Sequence, residues 1–255
     1  MKIKNLSASM LEKWDQCPLL CKTVYEDGIK EPPSEAAAFG TAIHATMETV
    51  VNASKDAFFP MSYELVLPKM LEKHGVQARF REATELVVQA IRWGYMDGLT
   101  HMIGVEKEFK FTLPDGTTVH GYIDRLDWDK TTDTLTVYDL KTGKAPPREK
   151  LVKAWQTRIY NWAARKLFPA ASTCQVKYLY LRTRQEVVPV TAADAAKTEL
   201  DMTENATAIR ETTEPKPKTG PLCQYCPLYQ AKKCPAFATP NLERFNAGPL
   251  PASSL

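Results

Sequence analysis

The hydrophobic period changes midway along the chain, and that change limits the possible folds more than any other feature. Residues 105–113, 118–128 and 134–141 alternate apolar and polar side chains, the period of a β-strand. Pro114-Asp115-Gly116 and Asp129–Asp133 separate them with turn chemistry, so the three predict an antiparallel meander. Helical spacing surrounds the meander. Ser7–Tyr25 reads as one helix, and Ser34 as the N-cap of another running from Glu35 to about Val51. Residues 62–73 and 77–103 read as helical, and Pro146-Pro147 opens a helix to about Phe168. Strands follow at Cys174–Leu181 and Val187–Val190, then a helix over Ala192–Arg210. The order helix, three strands, helix, strand describes a compact α/β core.

Two strands of the meander carry the chemistry. Asp124 lies in Gly121-Tyr122-Ile123-Asp124-Arg125-Leu126-Asp127, where a mid-strand acid is costly unless it is paired or bound to a cation. The bland reading is a salt bridge to Arg125 or a lysine. On the next strand, Tyr138-Asp139-Leu140-Lys141-Thr142-Gly143-Lys144 sets Asp139 and Lys141 two apart and therefore on one face. Carboxylates on neighbouring strands with an ammonium beside them suit a hard divalent cation and phosphodiester hydrolysis. Between Lys141 and Lys166 stand eight Lys or Arg residues and one acid, Glu149, a basic patch where phosphates would be expected.

At 255 residues and 44% hydrophobic the chain can bury a real core, and a net charge of +3 neither demands nor excludes nucleic acid. No apolar run approaches the roughly 18–20 residues of a membrane span, and no membrane partner is expected. Met1–Leu6 lacks a signal-peptide core, which argues against export. A cytoplasmic protein, of a prokaryotic cell or a phage-infected host, is the expectation. The six cysteines do not resemble a secreted disulfide set: Cys223-x-x-Cys226 and Cys234 cluster near the end, and Cys17 and Cys21 lie near the start. Three thiolates cannot close a tetrahedral site, so a fourth must come from elsewhere, either Cys17 or Cys21. Cys174 reads as a small apolar core residue. Eight of the 18 prolines lie from Pro215 onward, marking an irregular module that needs an anchor other than a core.

Five features in order resemble the PD-(D/E)XK nuclease superfamily, and within it the RecB/AddB-like branch that includes CRISPR-associated exonucleases and exonuclease V. They are Gly40-Thr41-Ala42-Ile43-His44, Gly121-x-x-Asp124-Arg125-x-Asp127, Asp139-x-Lys141-Thr142-Gly143, Gln156-x-x-x-Tyr160, and Cys17 with Cys223, Cys226 and Cys234. The resemblance implies a restriction-endonuclease-like core, a central mixed sheet flanked by helices, with a helical insertion and a Cys-rich module joining the two ends. It divides the chain into an N-terminal segment (1–30), a helical region bearing His44 (34–104), the nuclease core (105–212), the Cys-rich module (213–240) and a flexible tail (241–255). It also implies that His44, Asp124, Asp139 and the Leu140 carbonyl bind Mg²⁺ or Mn²⁺, with Lys141 catalytic beside Asp124 and Asp139. Cys17, Cys223, Cys226 and Cys234 would hold a 4Fe–4S cluster, with zinc the alternative. The seven residues between Cys226 and Cys234 are a longer gap than the family pattern. Gln156, Tyr160, Lys144 and Arg148 would contact DNA or stand behind the ligands, and Glu106 would supply an outer-shell or second-metal contact, while Glu48, sharing a helix face with His44, reads as structural.

The implied activity is a metal-dependent exonuclease on single-stranded DNA or DNA ends, with recombination, replication or CRISPR-adaptation proteins as partners. Two other readings compete with it. A non-catalytic DNA-end-binding subunit of a recombination or CRISPR-adaptation complex would keep the basic patch but has no use for Asp124, Asp139 and Lys141. A redox-sensing iron–sulfur protein gives no reason for acids and a lysine on adjacent strands.

Overall fold

The computed structural model describes residues 1–3, 5–29, 34–55, 57 and 61–237. Pro32 and Pro33, just before the expected cap Ser34, and the expected tail over 241–255 lie outside the described residues.

The meander forms as the alternation requires. β2 (Met102–Thr112), β3 (Thr118–Asp129) and β4 (Thr134–Lys141) pair antiparallel in sequence order, and β1 (Asn5–Leu6) adds two residues parallel to the start of β3. β4 then pairs parallel with β5 (Thr173–Tyr180), and β5 antiparallel with β6 (Arg184–Val190). A parallel neighbour needs a crossover, which is supplied by α6 (Arg148–Lys153) and α7 (Trp155–Leu167). The result is a six-stranded mixed sheet with helices on both faces.

Side-chain alternation sorts the two faces. Leu135 and Val137 of β4, with Val176 and Tyr178 of β5, pack into the core shared with α7, α8 (Ala192–Glu211), α1 (Ala8–Gln16) and α2 (Pro18–Tyr25). Tyr138, Leu140 and Leu179 face the other layer, built by α3 (Glu35–Ser54), α4 (Leu67–Lys73) and α5 (Phe80–Arg92). Both faces are therefore buried, and the inner strands carry apolar side chains on each.

Three expected helices are broken, each for a local reason. Ser7–Tyr25 divides at Cys17, which is extended (φ −165°, ψ 109°) because the ring of Pro18 disfavours helix in the residue before it. The long helix expected over 77–103 stops at Arg92. Gly94 adopts φ 80°, and the Gly94 and Tyr95 amides bond the Ile91 and Ala90 carbonyls, a left-handed helix stop. The helix expected from Pro147 to Phe168 divides at an extended Ala154, and the Thr157 hydroxyl bonds the Leu151 carbonyl at 2.6 Å across the break. Ser34 caps α3 as expected, accepting from the Ala37 amide at 3.1 Å.

Candidate active site

Gly40 and Gly121 of the two glycine-led motifs stand where a side chain would collide. A Cβ at Gly121 would lie 2.6 Å from Phe109 Cζ, the ring of its cross-strand partner. A Cβ at Gly40 would lie 3.2 Å from Thr142 Oγ1, so glycine lets α3 close on the end of β4. His44, one turn further along α3, then reaches Asp124 with Nδ1 3.3 Å from Oδ2. Burial lowers its pKa, favouring a neutral imidazole.

Glu106 completes the convergence. The flanking pairs Val105–Arg125 and Lys107–Ile123 place it opposite Asp124 across the β2–β3 ladder. Its backbone is left-handed (φ 44°), a conformation that a glutamate rarely adopts inside a strand. One ligand atom from each of His44, Glu106 and Asp124 lies within 4.8 Å of the others.

Asp139 stands beside this trio with its carboxylate turned elsewhere. Oδ1 accepts from Gln156 Nε2 at 3.0 Å, and Oδ2 lies 2.7 Å from Lys141 Nζ without an aligned hydrogen bond. The side chain is 1% exposed. Gln156 also donates to the Tyr160 hydroxyl at 2.9 Å, so the helical pair acts on Asp139 through one amide. The sequence grouped Asp139 with His44 and Asp124 as ligands and gave Glu106 an outer-shell or second-metal contact; Glu106 is the acid whose oxygen lies in the tight trio.

The electrostatics match a cation site. Burial, then repulsion from Asp139, pushes the Asp124 carboxyl up to about 8 against the opposing effects of Lys141 and the Leu140 amide, which it accepts at 2.9 Å. Burial also raises Glu106, as do Asp124 and Glu48. Burial alone would lower Lys141, but Asp139 overrides it and the pKa is raised, keeping the amine charged. Crowded carboxylates and a neutral imidazole lack only a compensating positive charge, and oxygen and imidazole donors suit Mg²⁺ or Mn²⁺.

Of the partners that the bland reading allowed Asp124, Arg125 points to the opposite side. It is fully buried, forks onto Asp127 at 2.7 and 2.6 Å, and donates to the carbonyls of Tyr95 and Asp97. One residue missing from the sequence reading is Glu12 of α1. It feels Lys141 and Asp139, with its pKa raised first by desolvation. Nothing in the spacing of α1 marks it.

Most of the basic patch is engaged within the fold, Lys141 by Asp139 and Arg165 by Asn161 and the Val190 carbonyl. Arg148 is bound to Glu186 and the Val187 carbonyl, Arg158 to Asp201, and Lys166 to Glu199, whereas Lys144, Lys150 and Lys153 are exposed. Away from this site, Cys17, Cys223, Cys226 and Cys234 line one cavity of about 290 Å³. Burial raises the Cys234 pKa, and the other three thiols raise it further. Cys21 is buried in the core against the Met10 carbonyl and stands apart from the cavity lining, as does Cys174.

The model of the PD-(D/E)XK nuclease superfamily matches residues 5–231. Among solved structures, a protein of Eubacterium rectale described as a putative exonuclease shares the fold with a TM-score of 0.56. It is 13% identical, covering 89% of this chain and 88% of its own. SSO0001 aligns over 87% of this chain and 96% of its own at 16% identity, with a TM-score of 0.38 that bears no weight. No curated protein matches the sequence. The family match runs through the strands that carry Glu106, Asp124 and Asp139 and the helices around them, and the chain belongs to the PD-(D/E)XK nuclease superfamily.

Proposed function

We propose that this chain is a divalent-metal-dependent DNA exonuclease acting on single strands or DNA ends. Superfamily membership makes it a phosphodiester hydrolase that uses divalent metal. The observation that carries the reading is the convergence of His44, Glu106 and Asp124 beside the Asp139–Lys141 pair on the adjacent strand. These three would hold Mg²⁺ or Mn²⁺, with Asp139 and the Leu140 carbonyl completing the donors. The bound ion would polarise the scissile phosphoryl group and acidify water.

The chain's own residues do the rest. Lys141, held protonated by Asp139, stabilises charge building on the phosphate rather than accepting a proton. Gln156 fixes the Asp139 carboxylate, and Tyr160 fixes Gln156. Exposed Lys144, Lys150 and Lys153 follow the phosphate backbone without reading bases, so binding weakens steeply with salt. The preference for ends rests on family resemblance and on the description of the Eubacterium rectale protein.

Purified protein with Mn²⁺ should shorten end-labelled linear single-stranded DNA and spare a circle, and Lys141→Ala should cost at least about 10²-fold in rate. Retention of DNA ends without any cleavage would instead support the non-catalytic subunit reading.

The four cavity cysteines would hold a 4Fe–4S cluster of structural role. Their common cavity supports it. Anaerobic purification should give brown protein with about four iron and four sulfide per chain. Stoichiometric zinc in colourless protein would refute the cluster.

A further inference from the structure

His44 belongs to α3, whereas the other metal-facing residues belong to the sheet, so the register of α3 against the sheet sets the geometry of the trio. Apolar packing holds α3 on the sheet through Phe39, Ile43 and Met47 among others. Such packing is non-directional, and polar contacts of fixed geometry add a constraint on the slide and roll of the helix. A directional connection exists elsewhere. Arg182, in the turn between β5 and β6, donates from Nε to the Thr142 carbonyl at 2.6 Å and from Nη2 to Glu82 in the first turn of α5. Glu82 accepts Arg79 Nε at 2.7 Å through its other oxygen. Arg79 lies 3.6 Å over the Phe39 ring and within 3.6 Å of Glu35, both on α3. The two guanidinium groups hold the Glu82 carboxyl down at about 2.

This relay runs from the residue after Lys141 to the helix turn before Gly40, the point where α3 touches Thr142. We propose that Arg182, acting through Glu82 and Arg79, is a positioning residue that sets His44 against Asp124 and so tunes affinity for the divalent ion. The inference rests on His44, Glu106 and Asp124 being that ion's ligands. Partly exposed ion pairs contribute little to stability, so the relay's effect belongs on the site rather than on the fold.

The test is Mn²⁺ binding, followed by electron paramagnetic resonance of the free ion and by calorimetry, on the wild type, Arg182→Ala, Arg182→Lys and Glu82→Gln. Arg182→Ala should weaken Mn²⁺ by about tenfold while Tm falls by less than about 3 °C. Lysine, which cannot fork onto both Thr142 and Glu82, should restore only part of the affinity. Excess Mn²⁺ should return kcat of Arg182→Ala to near the wild-type value, a rescue that general damage would not permit. Should Arg182→Ala fail to fold, Glu82→Gln carries the same expectation. Folded variants that bind Mn²⁺ as tightly as wild type overturn the positioning role and leave the metal site standing. A wild type whose Mn²⁺ binding survives His44→Ala overturns both.

Discussion

Asp124 is the residue on which the site's charge turns. Its carboxyl is pushed up to about 8 by burial and by Asp139, whereas in the unfolded chain it titrates near the usual ~3.9. Between these values the folded state binds the extra proton, so this group's contribution to stability falls as pH rises through the window. In EDTA, Asp124→Asn should therefore raise Tm by roughly 3–6 °C at pH 8, about 1–2 kcal/mol, and by much less at pH 5. Equal shifts at the two pH values would contradict the buried, protonated carboxyl. Metal must displace that proton, so calorimetric Mn²⁺ titrations at pH 7 in buffers of different ionisation enthalpy should report about one proton released. Asp124, Asp139 and Lys141 were legible because their strands were legible. Glu106 was harder: its left-handed backbone and its place opposite Asp124 depend on pairing between strands, which local spacing does not encode.

Secondary structure followed local chemistry closely enough that its failures are informative. The meander was readable because alternation and turn residues act within a few positions. The breaks at Cys17, Gly94 and Ala154 interrupt runs that keep helical spacing on both sides, so periodicity alone joined them. One of these stops has a use. By ending α5, the Gly94 turn aims the Tyr95 and Asp97 carbonyls at the buried Arg125. Arg125→Ala would leave Asp127 uncompensated beneath that turn and should destabilise the protein by about 3–5 kcal/mol in chemical denaturation. A loss under about 1 kcal/mol would mean that solvent reaches Asp127. Gly121→Val should cost about 1–3 kcal/mol by displacing the Phe109 ring across β2 and β3, and the Phe109→Ala background should recover part of it.

Across the molecule, α1 links the two sites. Glu12 faces the cleft, Cys17 follows the helix end, and between them Asp15 accepts Trp155 Nε1 of α7 at 2.7 Å and, through its carbonyl, Lys218 Nζ at 2.7 Å. Residue 17 thus meets a segment about 200 positions later, which has little apolar core of its own. If the cysteines hold a structural cluster, Cys226→Ala should lose colour, lower Tm and open the chain beyond Thr212 to limited proteolysis. A folded, protease-resistant, colourless variant would point to a sensing role instead. By itself, the sequence determined the strands, their turns, the paired acid and lysine of β4 and the reserve of thiols, because those features act over a few residues. Only the tertiary structure decided that Glu106 meets His44 and Asp124, that Arg125 turns away, and that Cys17 rather than Cys21 lines the cavity. Each depends on how distant elements pack, and packing is set by the whole core rather than by any stretch of it.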